Sequence, residues 1–231
     1  MEECLAIIPA RGGSKRIPKK CIKLFCGQPI IKYSVDVALQ SDCFNEVMVS
    51  TDDLEFANIA KQYGAKIPFL RSPKTSDDIY TIGDAIEEVL LEYKKIGREF
   101  KYFCCILSTA PFISSKRILQ GLQTLIQSGA DSVIPVVKFS YPIQRALKIE
   151  TGKLKMFWPE NYDLRSQDAE SSYHDVGQFY WMKVDSFLEQ KVLFAKHSVS
   201  LIIPEIEVQD IDTFSDWEIA ELKYKILHKQ I

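Results

Sequence analysis

The sequence predicts an α/β fold, a doubly wound and mainly parallel sheet that carries an inserted β-hairpin. Three observations predict it. Apolar runs of strand length alternate with segments of helical period through the first 140 residues. From about residue 139 to 175 this alternation gives way to short period-two pieces, and beyond residue 175 strands and a helix resume. Repeated βα alternation favours parallel strands, because each crossover helix must bury its apolar stripe on a face of the sheet. Residues 1–138 and 176–231 are accordingly assigned to one α/β domain and 139–175 to an inserted segment. Sheets of this kind bind ligands at the carboxyl ends of their strands.

Cys4–Pro9 opens the pattern as an apolar strand, and Glu46–Ser50, 102–108 and 132–137 have the same length and content. Asp52 and Glu55 follow the second strand at capping-box spacing, so a helix start accounts for Asp52 and Asp53 without chemistry. The segment 81–96 is amphipathic. Ile82, Ile86, Val89, Leu90 and Tyr93 fall on one stripe, with Glu87, Glu88 and Lys94 elsewhere. Residues 145–150 and 154–158, joined through Thr151-Gly152, read as a hairpin. Strands follow at 177–182 and 199–203. A last helix begins near Asp216, where Ser215 and Glu218 have capping-box spacing and Phe214, Trp217, Tyr224 and Leu227 supply an apolar side.

Composition excludes several classes of protein. The chain has 231 residues, with 29 Lys and Arg against 31 Asp and Glu, a net charge of −2. Such a balance does not suit a nucleic-acid coat, whose affinity comes from many phosphate-neutralising cations. A chain of this length buries roughly 70–75% of its unfolded surface, enough for a core without disulfide or metal staples. The six cysteines, at 4, 21, 26, 43, 104 and 105, form no C-x-x-C pair, which argues for idle thiols in a reducing compartment. The start, Met1-Glu2-Glu3-Cys4, is acidic and lacks the basic flank of a signal peptide. No apolar run approaches the ~20 residues of a membrane span. A cytoplasmic protein is expected, without nucleic-acid or membrane partners.

The chemistry concentrates in two places. After the first strand comes Ile8-Pro9-Ala10-Arg11-Gly12-Gly13-Ser14-Lys15-Arg16-Ile17-Pro18-Lys19-Lys20, in which five of the ten residues from Arg11 to Lys20 are cationic. Two glycines permit a tight loop with inward N–H groups, so the segment suits a polyphosphate. It fits neither G-x-x-x-x-G-K-[ST] nor G-x-G-x-x-G. The second place is Asp210-Ile211-Asp212. In extended backbone these carboxylates share a side and can converge on Mg²⁺, which takes one or two protein carboxylates and completes its shell with water and phosphate oxygens. Three scattered histidines offer no competing metal cluster.

The loop resembles the signature of the sialic-acid-type cytidylyltransferases, the CMP-sugar synthetases that activate nonulosonic acids and Kdo with CTP. The resemblance continues in Ser50-Thr51-Asp52-Asp53, in Arg165-Ser166-Gln167-Asp168 and in Gln209-Asp210-Ile211-Asp212 ahead of Trp217-Glu218-Ile219-Ala220-Glu221. Four motifs in the expected order span nearly the whole chain. The blocks Ser108-Thr109-Ala110-Pro111-Phe112 and Tyr173-His174-Asp175-Val176-Gly177-Gln178-Phe179-Tyr180-Trp181 are similar to the branch that acts on pseudaminic acid. One position departs from the pattern, since the family's Lys-Asn-Ile is here Lys20-Cys21-Ile22, and a thiol is a weak donor and acceptor.

The resemblance implies transfer of CMP from CTP to the anomeric hydroxyl of the sugar acid, with release of pyrophosphate. It implies a nucleotide site of Ala10, Arg11, Gly12, Gly13, Ser14, Lys20 and Arg71, with Arg11 and Lys20 catalytic. Arg71 would read the cytosine edge, and Lys15 and Arg16 would be solvated cations. Asp210 and Asp212 would hold Mg²⁺. Arg165, Gln167, Gln178, Tyr180 and Phe194 would bind the sugar acid, although Leu193 and Phe194 are equally well read as core residues. His174 reads as a positioning residue, and no dedicated base is evident. The resemblance further implies a homodimer formed through the inserted segment, whose Arg165 would complete the neighbour's site, and a role in flagellin or surface-glycan decoration. Legionaminic acid, N-acetylneuraminate and Kdo are the alternative acceptors, and a CTP-binding module without turnover is the alternative of another class.

Overall fold

In the computed structural model, which describes residues 3–77 and 79–229, the first apolar run is strand β1 (Cys4–Pro9), and nearly all of it is buried. Met1 and Glu2 of the acidic start lie outside the described residues. The basic loop and a two-residue pair, β2 (Leu24–Phe25) and β3 (Gln28–Pro29), lead into α1 (Ile30–Gln40). Then come β4 (Glu46–Ser50), α2 (Leu54–Gln62), the one-turn α3 (Pro73–Ser76), α4 (Ile82–Lys95), β5 (Tyr102–Ile106), α5 (Ser115–Ser128) and β6 (Ser132–Lys138). The inserted stretch holds the hairpin β7 (Leu147–Glu150) and β8 (Lys153–Met156), followed by β9 (Tyr173–Asp175). The chain closes with β10 (Phe179–Lys183), α6 (Val184–Gln190), β11 (Ser198–Ile202) and α7 (Phe214–Leu227).

Side chains alternate across a strand, so β1 serves two cores at once. Cys4, Ala6 and Ile8 face Ile31 and Val35 of α1, Phe56 of α2 and Ile118 of α5. Leu5 and Ile7 face Ile86, Val89 and Tyr93 of α4 and Phe187 of α6. Helices therefore cover both faces, as a doubly wound sheet requires. The strand order is β11-β6-β10-β5-β1-β4, with β9 beside β6. Five of these strands run the same way, while β10 is antiparallel to β5 and β6, and β9 to β6. The reason is local. The insert leaves the carboxyl end of β6 and returns there through β9, which pairs Lys138 with Tyr173, so the next strand can only run back down.

Helix starts differ in detail from those expected. Asp53, not Asp52, caps α2, accepting from the N–H groups of Glu55 and Phe56 at 2.7 and 3.2 Å. Helix α7 starts earlier than Asp216, and its capping box is Thr213 with Asp216 rather than Ser215 with Glu218. The earlier box satisfies one more donor, because Asp216 also accepts from the N–H of Asp212 at 3.0 Å. α7 then lays Trp217 and Ala220 against Ile17 of the basic loop, Phe25, Ile30 and Ile211. Among the described residues no helix is long and apolar enough to cross a membrane.

Candidate active site

The carboxyl ends of β1 and β5 open into a cleft of about 630 Å³, whose lining includes Arg11, Ser14, Lys15, Arg16, Lys20, Arg71 and Ser108. Burial fixes the basic loop at points along its length. Ala10 is fully buried and its N–H donates to the Ser50 carbonyl at 2.9 Å, while Ile17 is 1% exposed within the α7 cluster. Between these anchors the loop is tied sideways. The Gly12 N–H donates to Asp52 Oδ1 at 3.0 Å, and a Cβ on Gly12 would stand 3.1 Å from Asp53 Oδ2. The Ser14 N–H donates to the Gly12 carbonyl at 3.1 Å. Of the N–H groups read from the sequence as a phosphate cradle, Gly12's is thus engaged by a carboxylate, and Asp52 has a loop-holding role that capping did not anticipate. Asp52 can reach because β4 lies beside β1 in parallel, so both strand ends meet at one level.

The Asp210–Asp212 segment arrives at the same loop. Ile211 is 1% exposed in the core beneath it, which turns its neighbours outward. Lys19 adopts left-handed backbone, φ 51°, ahead of the single turn Lys20–Ile22. There the Lys20 ammonium donates to the Ile211 carbonyl at 2.5 Å and lies 3.6 Å from Asp212 Oδ1. Arg16, read from the sequence as a solvated cation, pairs with Asp212 Oδ2 at 2.7 Å. Lys19 turns away from the cleft to Glu55 at 2.5 Å.

The backbone ahead of Asp210 is pinned by three side chains. Lys223 donates to the carbonyls of Glu205 and Val208, Arg117 holds the Glu207 carboxylate through two bonds of 2.9 Å, and Gln178 donates to the Glu207 carbonyl at 2.6 Å. Gln178 is only 3% exposed, so it supports the acidic segment from beneath.

Arg71 is buried, only 7% exposed. Its N–H donates to the Thr51 carbonyl at 2.9 Å and its Nε to Thr75 Oγ1 at 3.4 Å. Burial lowers its pKa, and the charges of Asp52 and Glu88 oppose that fall. The Cys21 thiol, also at the cleft, lies 3.3 Å from Ser108 Oγ, and burial pushes its pKa up. It is a packed thiol rather than a nucleophile.

None of the residues expected to bind a sugar acid is among those lining this cleft. Tyr180, on β10, donates to Asp175 Oδ2 at 2.5 Å, and burial leads the causes that raise its phenol pKa, with Asp210 close enough to contribute. Phe194 is 56% exposed with its ring centroid 6.3 Å from that of Tyr180, whereas Leu193 packs against the core, so only Leu193 takes the core role. Arg165 and Gln167 are exposed and stand outside the cleft lining, with Arg165 paired to Asp168 at 2.5 Å. His174 Nδ1 is 2.9 Å from the Asp175 carbonyl, and its ring centroid is 4.7 Å from that of Phe139, an arrangement that holds a ring in place.

A cationic loop and an acidic segment meeting at the end of the first strand is an arrangement for handling a nucleoside triphosphate. Known proteins point the same way. A pseudaminic acid cytidylyltransferase of Campylobacter jejuni (strain 81-176) is 39% identical over 226 residues, 97% of each chain. A CMP-N,N'-diacetyllegionaminic acid synthase of Legionella pneumophila is 32% identical over 94% of each. The fold is shared with CMP:2-keto-3-deoxy-manno-octonic acid synthetase, solved in complex with CTP, at a TM-score of 0.71 and 18% identity over all of both chains. The family profile for cytidylyltransferases matches residues 5–172, and with relatives aligned over nearly its full length this chain belongs to the cytidylyltransferase family.

Proposed function

We propose that the chain transfers CMP from CTP to the anomeric hydroxyl of pseudaminic acid, giving CMP-pseudaminic acid and pyrophosphate. The observation that carries this reading is the contact of Lys20 with the Asp210–Asp212 segment, which brings an acidic segment against the cationic cleft that the buried Arg71 also lines. The choice of acceptor rests on the name of the Campylobacter relative. In the reaction the hydroxyl oxygen attacks the α-phosphorus, the bond to the bridging oxygen breaks, pyrophosphate leaves with the electron pair, and the hydroxyl proton passes to solvent.

Arg11 and Ser14 hold the β- and γ-phosphates, Lys20 stands at the α-phosphate, and Arg71 takes the base. Phosphoryl transfer depends mainly on such positioning and charge neutralisation. The residues also fit Mg²⁺, since Asp210 and Asp212 are hard oxygen donors held outward on either side of buried Ile211. Bound there, the ion would polarise the phosphates and neutralise the leaving pyrophosphate. Arg16 pairs with Asp212, and an incoming triphosphate offers it a more highly charged partner, while Lys20 stays anchored on the Ile211 carbonyl.

A panel of pseudaminic acid, legionaminic acid, N-acetylneuraminate and Kdo, each with CTP and Mg²⁺, tests the reading through pyrophosphate release. Release with pseudaminic acid is expected to be fastest. Release only with another acid overturns the acceptor, and CTP binding without release for any acid makes the chain a binding module.

Arg165 and Gln167 belong to this reading through a homodimer. The insert exposes Phe157 by 54% and Trp158 by 41%, an apolar surface suited to a second copy of the chain, which would bring Arg165 to the neighbouring cleft. A guanidinium suits the sugar carboxylate. Arg165→Ala is therefore expected to raise KM for the sugar acid about tenfold or more while KM for CTP stays within about twofold. Equal losses for both substrates would remove Arg165 from the acceptor site.

A further inference from the structure

Arg71 is held by a clasp that the sequence did not single out. Glu88, on α4, accepts the Ser72 N–H at 2.6 Å, the Ser72 hydroxyl at 2.9 Å and the Thr75 hydroxyl. These three bonds tie α3 to α4 across 13–16 positions of sequence. Ser72 also caps α3 through the Thr75 N–H at 3.4 Å. Thr75 is shared, accepting from Arg71 Nε while donating to Glu88. The guanidinium is thereby connected through one hydroxyl to a carboxylate, and its Nε is committed away from any ligand. Its terminal amino groups remain for the cleft that Arg71 lines.

We propose that Glu88 is the positioning residue that orients Arg71 and thereby sets the preference of this cleft for a cytosine base. The proposal rests on reading the cleft as the CTP site. A guanidinium has donors only, and the cytosine edge offers it two acceptors, O2 and N3. Uracil keeps O2 but carries a hydrogen on N3, so a correctly aimed Arg71 finds one acceptor and one opposed donor. Discrimination of this kind is lost when the donor is allowed to turn. Two further observations agree. Burial costs Arg71 solvation, and Glu88 is one of the three carboxylates, with Asp52 and Asp84, that offset this loss. Burial also works against the charge on Glu88, but the bonds from Thr75 and Ser72 outweigh it and hold the carboxyl below its ordinary pKa, so Glu88 is an anion at neutral pH.

The test compares wild type with Glu88→Gln, Thr75→Val and Arg71→Lys. Equilibrium binding of CTP and UTP, KM for the sugar acid and the melting temperature are measured for each. A glutamine side chain in place of Glu88 cannot accept the Thr75 hydroxyl and also keep its amide away from the Ser72 donors, while Thr75→Val removes the shared hydroxyl with Glu88 intact. Both variants are expected to weaken CTP about tenfold and UTP much less, with KM for the sugar acid changed less than CTP binding. Should Glu88→Gln fail to fold, Thr75→Val carries the same prediction. Arg71→Lys is expected to lose the CTP preference outright. If it keeps the preference, Arg71 does not read the base and the proposal falls with that reading. If it loses the preference while Glu88→Gln and Thr75→Val keep it, the role of Glu88 alone is refuted. A uniform loss for CTP, UTP and sugar acid with a lowered melting temperature makes the clasp merely structural and overturns the proposal.

Discussion

Replacing Lys20 with methionine is expected to lower kcat by about 10²–10³ while the protein stays folded and still binds CTP. The ammonium is held at the cleft, 2.5 Å from the Ile211 carbonyl, and its side chain is only 20% exposed. A charge held in place before substrate arrives needs little reorganisation as negative charge develops on the α-phosphate, which is why its loss falls on kcat rather than on binding. Methionine preserves the length and apolar stem. Steady-state pyrophosphate release and equilibrium CTP binding separate the two effects. A kcat within about threefold of wild type would take Lys20 out of the reaction.

The second large effect is expected from Asp212→Asn, a loss of about 10² or more in turnover that excess Mg²⁺ does not restore. Asparagine keeps the shape, and the backbone at 212 remains held by the Asp216 carboxylate through the 3.0 Å bond to the residue's own N–H. The substitution therefore removes the charge without releasing the segment. Arg16 and Lys20 lose their shared counter-ion, but Asp212 is 36% exposed and Arg16 68% exposed, so stability should change by less than about 1 kcal/mol. Metal titration of activity alongside a melting curve checks both halves. Turnover like that of wild type at saturating Mg²⁺ would refute the metal role.

Local signals made much of the fold legible. β1 and β4 begin and end where their apolar runs do, and α4 fills the segment between Thr81 and Ile96 because Ile86, Val89, Leu90 and Tyr93 of its stripe share a face to bury, while Ile82 of the same stripe lies exposed at the cleft. The direction of β10 was not legible. It depends on the end of the sheet at which the insert re-enters, and Phe179–Lys183 reads the same in either orientation. The cap of α7 was misplaced because two box spacings overlap there, and only the additional N–H of Asp212 favours the earlier one.

The site divides in the same way. The identities of Arg11, Lys20, Arg71, Asp210 and Asp212 follow from residue type, spacing and resemblance, since polyphosphate and cation chemistry restricts which side chains serve. Their partners do not follow. Lys20 meets Ile211 across 191 positions, Gly12 meets Asp52 across 40, and Glu88 reaches Ser72 across 16. Gln178, expected to touch the sugar, donates to the Glu207 carbonyl, and Arg16, solvated as expected at 68% exposure, also pairs with Asp212. The alternating elements, the doubly wound class and the chemical inventory of the site are written in the order of residues, because these depend on periodicity and composition over a few turns of chain. Which carboxylate holds which loop and which cation is settled by long-range packing. Those pairings form only when parallel strands bring their carboxyl ends to one level and helix α7 presses Ile211 into the core beneath them.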